Sequence, residues 1–344
     1  MECVKLTQYS HGAGCGCKIA PKVLKDILDQ VPTSHIDPKL LVGNGTLDDA
    51  AVYEIDDENV IISTTDFFMP IVDDPEDFGA IASVNAISDI YAMGGKPLMA
   101  LAILCWPTKQ LDTDVAAKVM NGARKACKEA GIAIAGGHSI DGPEPIFGLA
   151  VTGIAKKSMI KKNSSAEEGC NLYLSKPLGV GILSTAQKKG LLEEADRLKA
   201  RNSMVTLNKI GQQLGELPGI TAMTDVTGFG LLGHLRELCE GSDMSAEIYS
   251  SKVPLIDGLQ KYVDLKTFPG GTQRNFDSYG EKISPLTEQQ RCILCDPQTS
   301  GGLLVAVRPD SEEAFFKLAR ANGWEPVCFG RTIPKSEYVV NVLD

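Results

Sequence analysis

The chain has 344 residues and carries 34 Lys+Arg against 44 Asp+Glu, a net charge of −10. That acid excess excludes a protein held on nucleic acid by phosphate contacts, but leaves phosphate ligands open, because carboxylates bind them through a bridging Mg²⁺. With 43% apolar and 23% charged residues the chain reads as globular, and roughly 150 residues per domain gives about two domains.

In chain order, Met1 to Ala20 lacks the apolar stretch of a signal peptide, and His11 to Lys18 reads as a mobile Gly/Cys-rich loop. Pro21 suits the first turn of a helix, with Val23, Leu24, Ile27, Leu28 and Val31 at helical spacing behind it. A polar loop runs from Gly43 to Asp49. Ala50 to Val52 and Val60 to Thr65 read as strands, the second ending at Asp66. Asp77 to Met93 reads as a helix stopped by Gly94-Gly95. Leu98 to Leu104 is a buried strand, and the apolar run to Trp106 is too short to span a membrane. A helix over Asp112 to Ala130 precedes a short strand, Ile132 to Ala135, that enters a Gly136-Gly137 turn. Ile146 to Ile154 is a strand. The polar stretch Lys156 to Gly169 is the boundary between halves. Beyond it come a strand at Leu172 to Leu174, helical text over Leu191 to Leu214, and a strand Ala222 to Thr224 leading into Asp225. A helix over Gly230 to Cys239 and a strand over Gly302 to Val307 complete the reading. Strict βα alternation is missing, so the expected class is α+β, with mixed or antiparallel sheets flanked by helices. The expected division is a mobile loop over 1–20 and domains over 21–156 and 157–344.

Several constellations could carry chemistry. In His11-Gly12-Ala13-Gly14-Cys15-Gly16-Cys17-Lys18, alternating glycines allow close backbone approach, and a lysine beside thiols raises the thiolate fraction. Asp48-Asp49, Asp66, Asp89 and Asp225 supply the hard oxygen ligands that Mg²⁺ and phosphates need. Asn85, Ser88 and Asp89 form one helical stripe, read either as a solvated face or as a site-facing one. Gly136-Gly137-His138-Ser139 is either a plain turn or a phosphate-binding one. Gly228-Phe229-Gly230-Leu231-Leu232-Gly233 matches GxGxxG, but Asp225 beside it disfavours a dinucleotide and suits a metal ligand. Cys292 and Cys295 form a C-x-x-C that could join Cys15 and Cys17 around zinc, although the spacing is wrong for a finger. Ten cysteines without an export signal are expected as free thiols in a cytoplasmic protein. No Walker A motif occurs, so an ATP site must be of another design.

The string His11 to Lys18 resembles that of the selenophosphate synthetase (selenide, water dikinase) family. So do Gly43-Asn44 through Asp48-Asp49, Ser63 to Phe68, Asn85 to Asp89, Gly136 to Asp141, Thr224 to Gly230 and Asp296 to Gly302. The resemblance implies a two-domain fold shared with aminoimidazole ribonucleotide synthetase, a homodimer, and conversion of ATP, selenide and water to selenophosphate, AMP and phosphate. It implies that Cys15 handles selenium and that Lys18 serves catalysis at the ATP site. Thr46, Leu47, Asp48, Asp66, Asp89, Gly137, His138 and Ser139 would contact ATP, and Asp49, Asp89 and Asp225 would hold Mg²⁺. A selenium-delivery protein is an expected partner; nucleic acid and membrane are not. The alternatives are a thiamine-phosphate kinase or hydrogenase-maturation enzyme of the same fold, which share the Asp/ATP core, and a non-catalytic selenium or metal carrier, which needs no separated Asp set.

Overall fold

The computed structural model describes residues 4–19, 21–28, 30–31, 37–43 and 48–344. Its strands are β1 (Leu40–Val42), β2 (Ala51–Glu54), β3 (Asn59–Phe68), β4 (Lys96–Trp106), β5 (Ala133–Asp141), β6 (Ile146–Lys156), β7 (Asn171–Leu174), β8 (Ile220–Asp225), β9 (Ser245–Tyr249), β10 (Leu303–Val307), β11 (Gly330–Ile333) and β12 (Val340–Leu343). They form two six-stranded sheets, ordered β1-β2-β3-β6-β4-β5 and β12-β9-β11-β7-β10-β8. Each is antiparallel apart from one parallel pair, β4 with β5 and β9 with β12. The class is α+β, as the sequence predicts.

Period-two alternation decides which side chains of β3 face the core. Val60, Ile62 and Phe68 are buried on the inner face, where Thr64 and Asp66 are half-buried, whereas Ile61, Ser63, Thr65 and Phe67 point outward. Against that inner face lies the helix Pro75–Ala92. Asp74 caps it by accepting from the Asp77 N–H at 2.9 Å, and Pro75 occupies its first turn. Beyond the first turn it is buried almost all round, and it touches both halves of the molecule. On one side it crosses the helix Thr113–Glu129 where neither chain has a Cβ. A Cβ on Gly79 would lie 1.8 Å from the Val119 carbonyl oxygen, and one on Gly122 would lie 1.8 Å from that of Glu76. On the other side Arg201 pairs with Asp77 at 2.7 Å, Asn208 donates to Ser88 at 2.8 Å, and Gly211 passes under Tyr91. The Asn85, Ser88 and Asp89 stripe is therefore not a solvated face. It is buried in the middle of the protein.

Three expectations need correction. The strand expected as buried over Leu98 to Leu104 is buried on one face only, with Leu98, Met99 and Leu101 exposed. No turn occurs at Gly136-Gly137; β5 continues to Asp141 and pairs in parallel with β4. The glycine is needed there because a Cβ on Gly137 would lie 2.1 Å from the Ala102 carbonyl oxygen. The helical text Leu191 to Leu214 divides into Glu194–Val205 and Ile210–Gly215. At the break the Thr206 carbonyl accepts from Lys176 Nζ at 2.6 Å, and the Asn208 amide also donates to the Gly301 carbonyl at 2.9 Å. Among the described residues no helix is long and apolar enough to cross a membrane. Cys15, Cys105, Cys127, Cys170, Cys239, Cys292, Cys295 and Cys328 are free thiols.

Candidate active site

Four carboxylates predicted from separate parts of the chain arrive by four routes. Asp49 precedes β2, Asp66 lies on the inner face of β3, Asp89 sits in the central helix, and Asp225 ends β8. Single carboxylate oxygens of Asp49, Asp89 and Asp225 all lie within 4.8 Å of one another. Thr224 Oγ1 donates to Asp49 Oδ1 at 2.8 Å and Thr64 Oγ1 to Asp89 Oδ2 at 2.5 Å. The buried oxygens Asp49 Oδ2 and Asp225 Oδ2 have no hydrogen-bond partner. Burial, with the Asp225 charge next, pushes both Asp49 and Asp89 well above the usual carboxylate range. Burial also raises Asp225. Three acids facing one another, two of them with a buried orphaned oxygen, form a donor set suited to a hard divalent cation such as Mg²⁺. Asp66 adjoins the set, accepting from Asn85 Nδ2 and facing Lys18 Nζ at 3.6 Å.

The Gly/Cys segment is folded over this cluster. Gly14 adopts φ +51° and its N–H donates to the Met69 carbonyl at 2.9 Å. Cys15 N–H donates to Thr299 Oγ1 at 3.1 Å, and Cys15 Sγ donates to Asn85 Oδ1 at 3.2 Å. The same Asn85 oxygen accepts from the Ser300 N–H at 2.8 Å. Cys15 is 1% exposed. Burial first, and the Asp66 charge second, push its thiol well above the ordinary range; Lys18 only opposes this. Lys18 favours the thiolate, as expected, but burial and Asp66 outweigh it in this closed arrangement. Lys18 itself is held firmly protonated, chiefly by Asp66.

The remaining candidates divide. The GxGxxG glycines serve close packing: a Cβ on Gly228 would lie 2.5 Å from the Cys15 carbonyl oxygen, and one on Gly230 would lie 2.7 Å from the Cys295 carbonyl carbon. Cys292 and Cys295 are buried and do not meet Cys15; among the described residues only Asp49, Asp89 and Asp225 cluster as metal donors. Asp48 Oδ1 accepts from the Asn163 N–H at 2.8 Å and so ties the halves together. Thr46 and Leu47 lie outside the described residues. Gly137, His138 and Ser139 are exposed on the edge strand β5, where His138 pairs with Ile103 and is separated from β3 by β4 and β6. The fold does not bring them to the carboxylates of their own chain.

Residue-by-residue reading missed Lys176, Asn208 and His234. Lys176 is buried, donates to the Ser300 carbonyl at 2.9 Å, and is pushed down to about 7 by burial. His234 Nε2 accepts from the Thr227 N–H at 3.0 Å, and burial pushes the ring down to about 3, so it is neutral. Each is a lone polar residue in apolar or helical text, which gives no spacing signal.

Residues 47–155 match the family model for the N-terminal domain of AIR synthase related proteins, and residues 167–342 match that for the C-terminal domain. The chain is 58% identical over 336 residues to the selenide, water dikinase of Haemophilus influenzae, covering 98% of this chain and 97% of that one. It is 58% identical over 342 residues to the enzyme of that name from Pseudomonas aeruginosa, covering 99% of each chain. The chain belongs to the selenide, water dikinase family. Solved structures share the fold of this dikinase family at much lower identity. Thiamine-monophosphate kinase from Stenotrophomonas maltophilia superposes with a TM-score of 0.66 at 18% identity, covering 95% of this chain and 96% of its own. Hydrogenase maturation protein HypE in complex with ATP gives 0.61 at 19%, covering 98% and 91%.

Proposed function

We propose that this protein converts ATP, selenide and water to selenophosphate, AMP and phosphate. The observation that carries the reading is the seat of Cys15. Its sulfur is hydrogen-bonded to Asn85, one turn before Asp89 on the same buried helix. A soft-atom handle is thus built into the wall of a hard-cation site, a juxtaposition that a kinase acting on an oxygen nucleophile does not need.

Asp49, Asp89 and Asp225 would hold Mg²⁺, which when bound neutralises phosphate charge and orients ATP. Lys18 and Asp66 would meet the nucleotide beside it, with Thr46, Leu47 and Asp48 on the adjoining loop. Hydrogen selenide is already an anion at neutral pH, so the protein has to deliver and desolvate it rather than deprotonate it. The closed Gly14–Cys17 segment does both by carrying Cys15 and excluding bulk water. Water is admitted later, to hydrolyse the remaining β-phosphate and leave AMP.

The working form is a homodimer. The outward face of the first sheet exposes Tyr53, Ile61, Phe67, Met99, Leu101 and Ile140, an apolar face that a second copy would cover. The exposed strand bearing Gly137, His138 and Ser139 would then reach the nucleotide of a second copy. A cytoplasmic setting suits the free thiols, and a delivery protein would supply selenide, which is toxic when free.

The test is ³¹P NMR of the protein with ATP and Mg²⁺, with and without selenide, under anaerobic conditions. Selenide-dependent AMP and a new phosphorus–selenium resonance are expected. ADP as final product, or turnover that ignores selenide, refutes the assignment.

A further inference from the structure

Cys15 is buried, so any chemistry at its sulfur needs a way in. Two spaces that share four lining residues lie beside the Gly/Cys segment. A small chamber is lined by Cys15 together with Gly16, Lys18, Gly228, Phe229, Gly271, Arg274 and Asn275. Gly16, Lys18, Gly271 and Arg274 also line a cavity of about 560 Å³ beside the Gly/Cys segment. That cavity is framed by one side of the helix Val180–Lys188, from Gly181 to its last residue Lys188, by the start of the helix Gly270–Tyr279, and by Pro297 and Thr299.

The charge of this cavity is opposite to that of the molecule. The protein carries −10 overall, yet no carboxylate is among the described residues lining either space, whereas Lys18, Lys188 and Arg274 are. Lys18 is engaged by Asp66 and His11 by Glu144. Lys188 and Arg274 have no ion-pair partner among the described residues. Arg274 stands at the junction, donating through Nη2 to the Gly16 carbonyl at 3.2 Å, so it holds the segment that carries Cys15 while lining both spaces. The Gly270 and Gly271 N–H groups at the start of their helix add a favourable dipole end.

We infer that this cavity is the port through which anionic selenide reaches Cys15, steered by Lys188 and Arg274. The inference rests on the selenide-dependent reading above. It separates the routes of the two substrates: the nucleotide approaches the carboxylates and selenide approaches the sulfur. A cavity lined by one sign of charge raises the local concentration of a small counter-ion and quickens its capture, and salt weakens the effect.

The test is anaerobic steady-state AMP formation by full-length wild type, Lys188→Gln and Lys188→Glu, with selenide and ATP varied separately at low and high ionic strength. Lys188 is exposed, so these variants should fold, and melting curves check that they do. For Lys188→Glu at low salt we expect kcat/KM for selenide to fall roughly fivefold, with Lys188→Gln between it and wild type. The KM for ATP and kcat should stay within twofold, and the wild-type salt dependence of kcat/KM for selenide should flatten in Lys188→Glu. Selenide parameters equal to wild type at both ionic strengths overturn the proposal, as does an equal rise in both Michaelis constants. Failure of the parent reading looks different, because wild type itself would then form no AMP in response to selenide.

Discussion

Replacement of Asp225 by Asn should stabilise the metal-free protein while disabling it. Asp225 faces two other acids whose oxygens lie within 4.8 Å. At that separation and an effective dielectric of about 20, one ionised pair costs about 3.5 kcal/mol. The full cost is not realised, because burial keeps part of the cluster protonated and the Lys18 and Lys176 charges favour ionised Asp225. Removing one charge is then worth about 1–2 kcal/mol, or roughly 1.5–3 °C in melting temperature for a chain of this length. The gain belongs to neutral and higher pH. These acids have raised folded-state values, so the native protein loses stability as pH climbs through them, and the advantage of Asp225→Asn fades as pH falls toward 5. Added Mg²⁺ with ADP should reverse the order by stabilising wild type more than the variant, whose turnover should drop at least about 100-fold. The assay is thermal unfolding in EDTA and in Mg²⁺ with ADP, at pH 5 and pH 8. A variant that melts below wild type in EDTA at pH 8, or that gains as much from Mg²⁺, refutes the reasoning.

Cys15→Ser should abolish selenide-dependent AMP formation while shifting stability by less than about 1 kcal/mol, since the site is nearly isosteric; measurable turnover with selenide would exclude an essential sulfur. Gly79→Ala should lower stability by about 3 kcal/mol in urea unfolding, because its Cβ would stand 1.8 Å from the Val119 carbonyl oxygen. An unchanged midpoint would show that the two helices separate at little cost. Phe67→Asp, on the exposed face of the first sheet, should yield monomers in sedimentation and lose activity with them; a dimeric, active variant would place the subunit contact elsewhere.

Much of the candidate site was legible because acids and glycines leave local marks. Asp66, Asp89 and Asp225 each break apolar text, and the spacing of Asn85, Ser88 and Asp89 places them on one helical face. What sequence reading leaves open is whether that face meets water, since a polar stripe looks the same against solvent and against a second domain. Gly136-Gly137 misled for a physical reason. Adjacent glycines signal a turn, but here the missing Cβ serves tight parallel pairing beside Ala102. Strands β1, β9, β11 and β12 are short and only partly buried, so alternation has too few residues to show. The break at Thr206–Lys209 is set by Lys176, Ser88 and Gly301, all distant in sequence.

The helix Pro75–Ala92 is a wall shared by both halves, and this bears on how the molecule folds. Its far side is covered by residues from 201, 208 and 211, so a fragment ending near residue 156 would leave an apolar helix uncovered. A fragment starting there would lack the partner for Asn208 and Arg201. One cooperative unit, with a single unfolding transition rather than two in calorimetry, is the expected consequence.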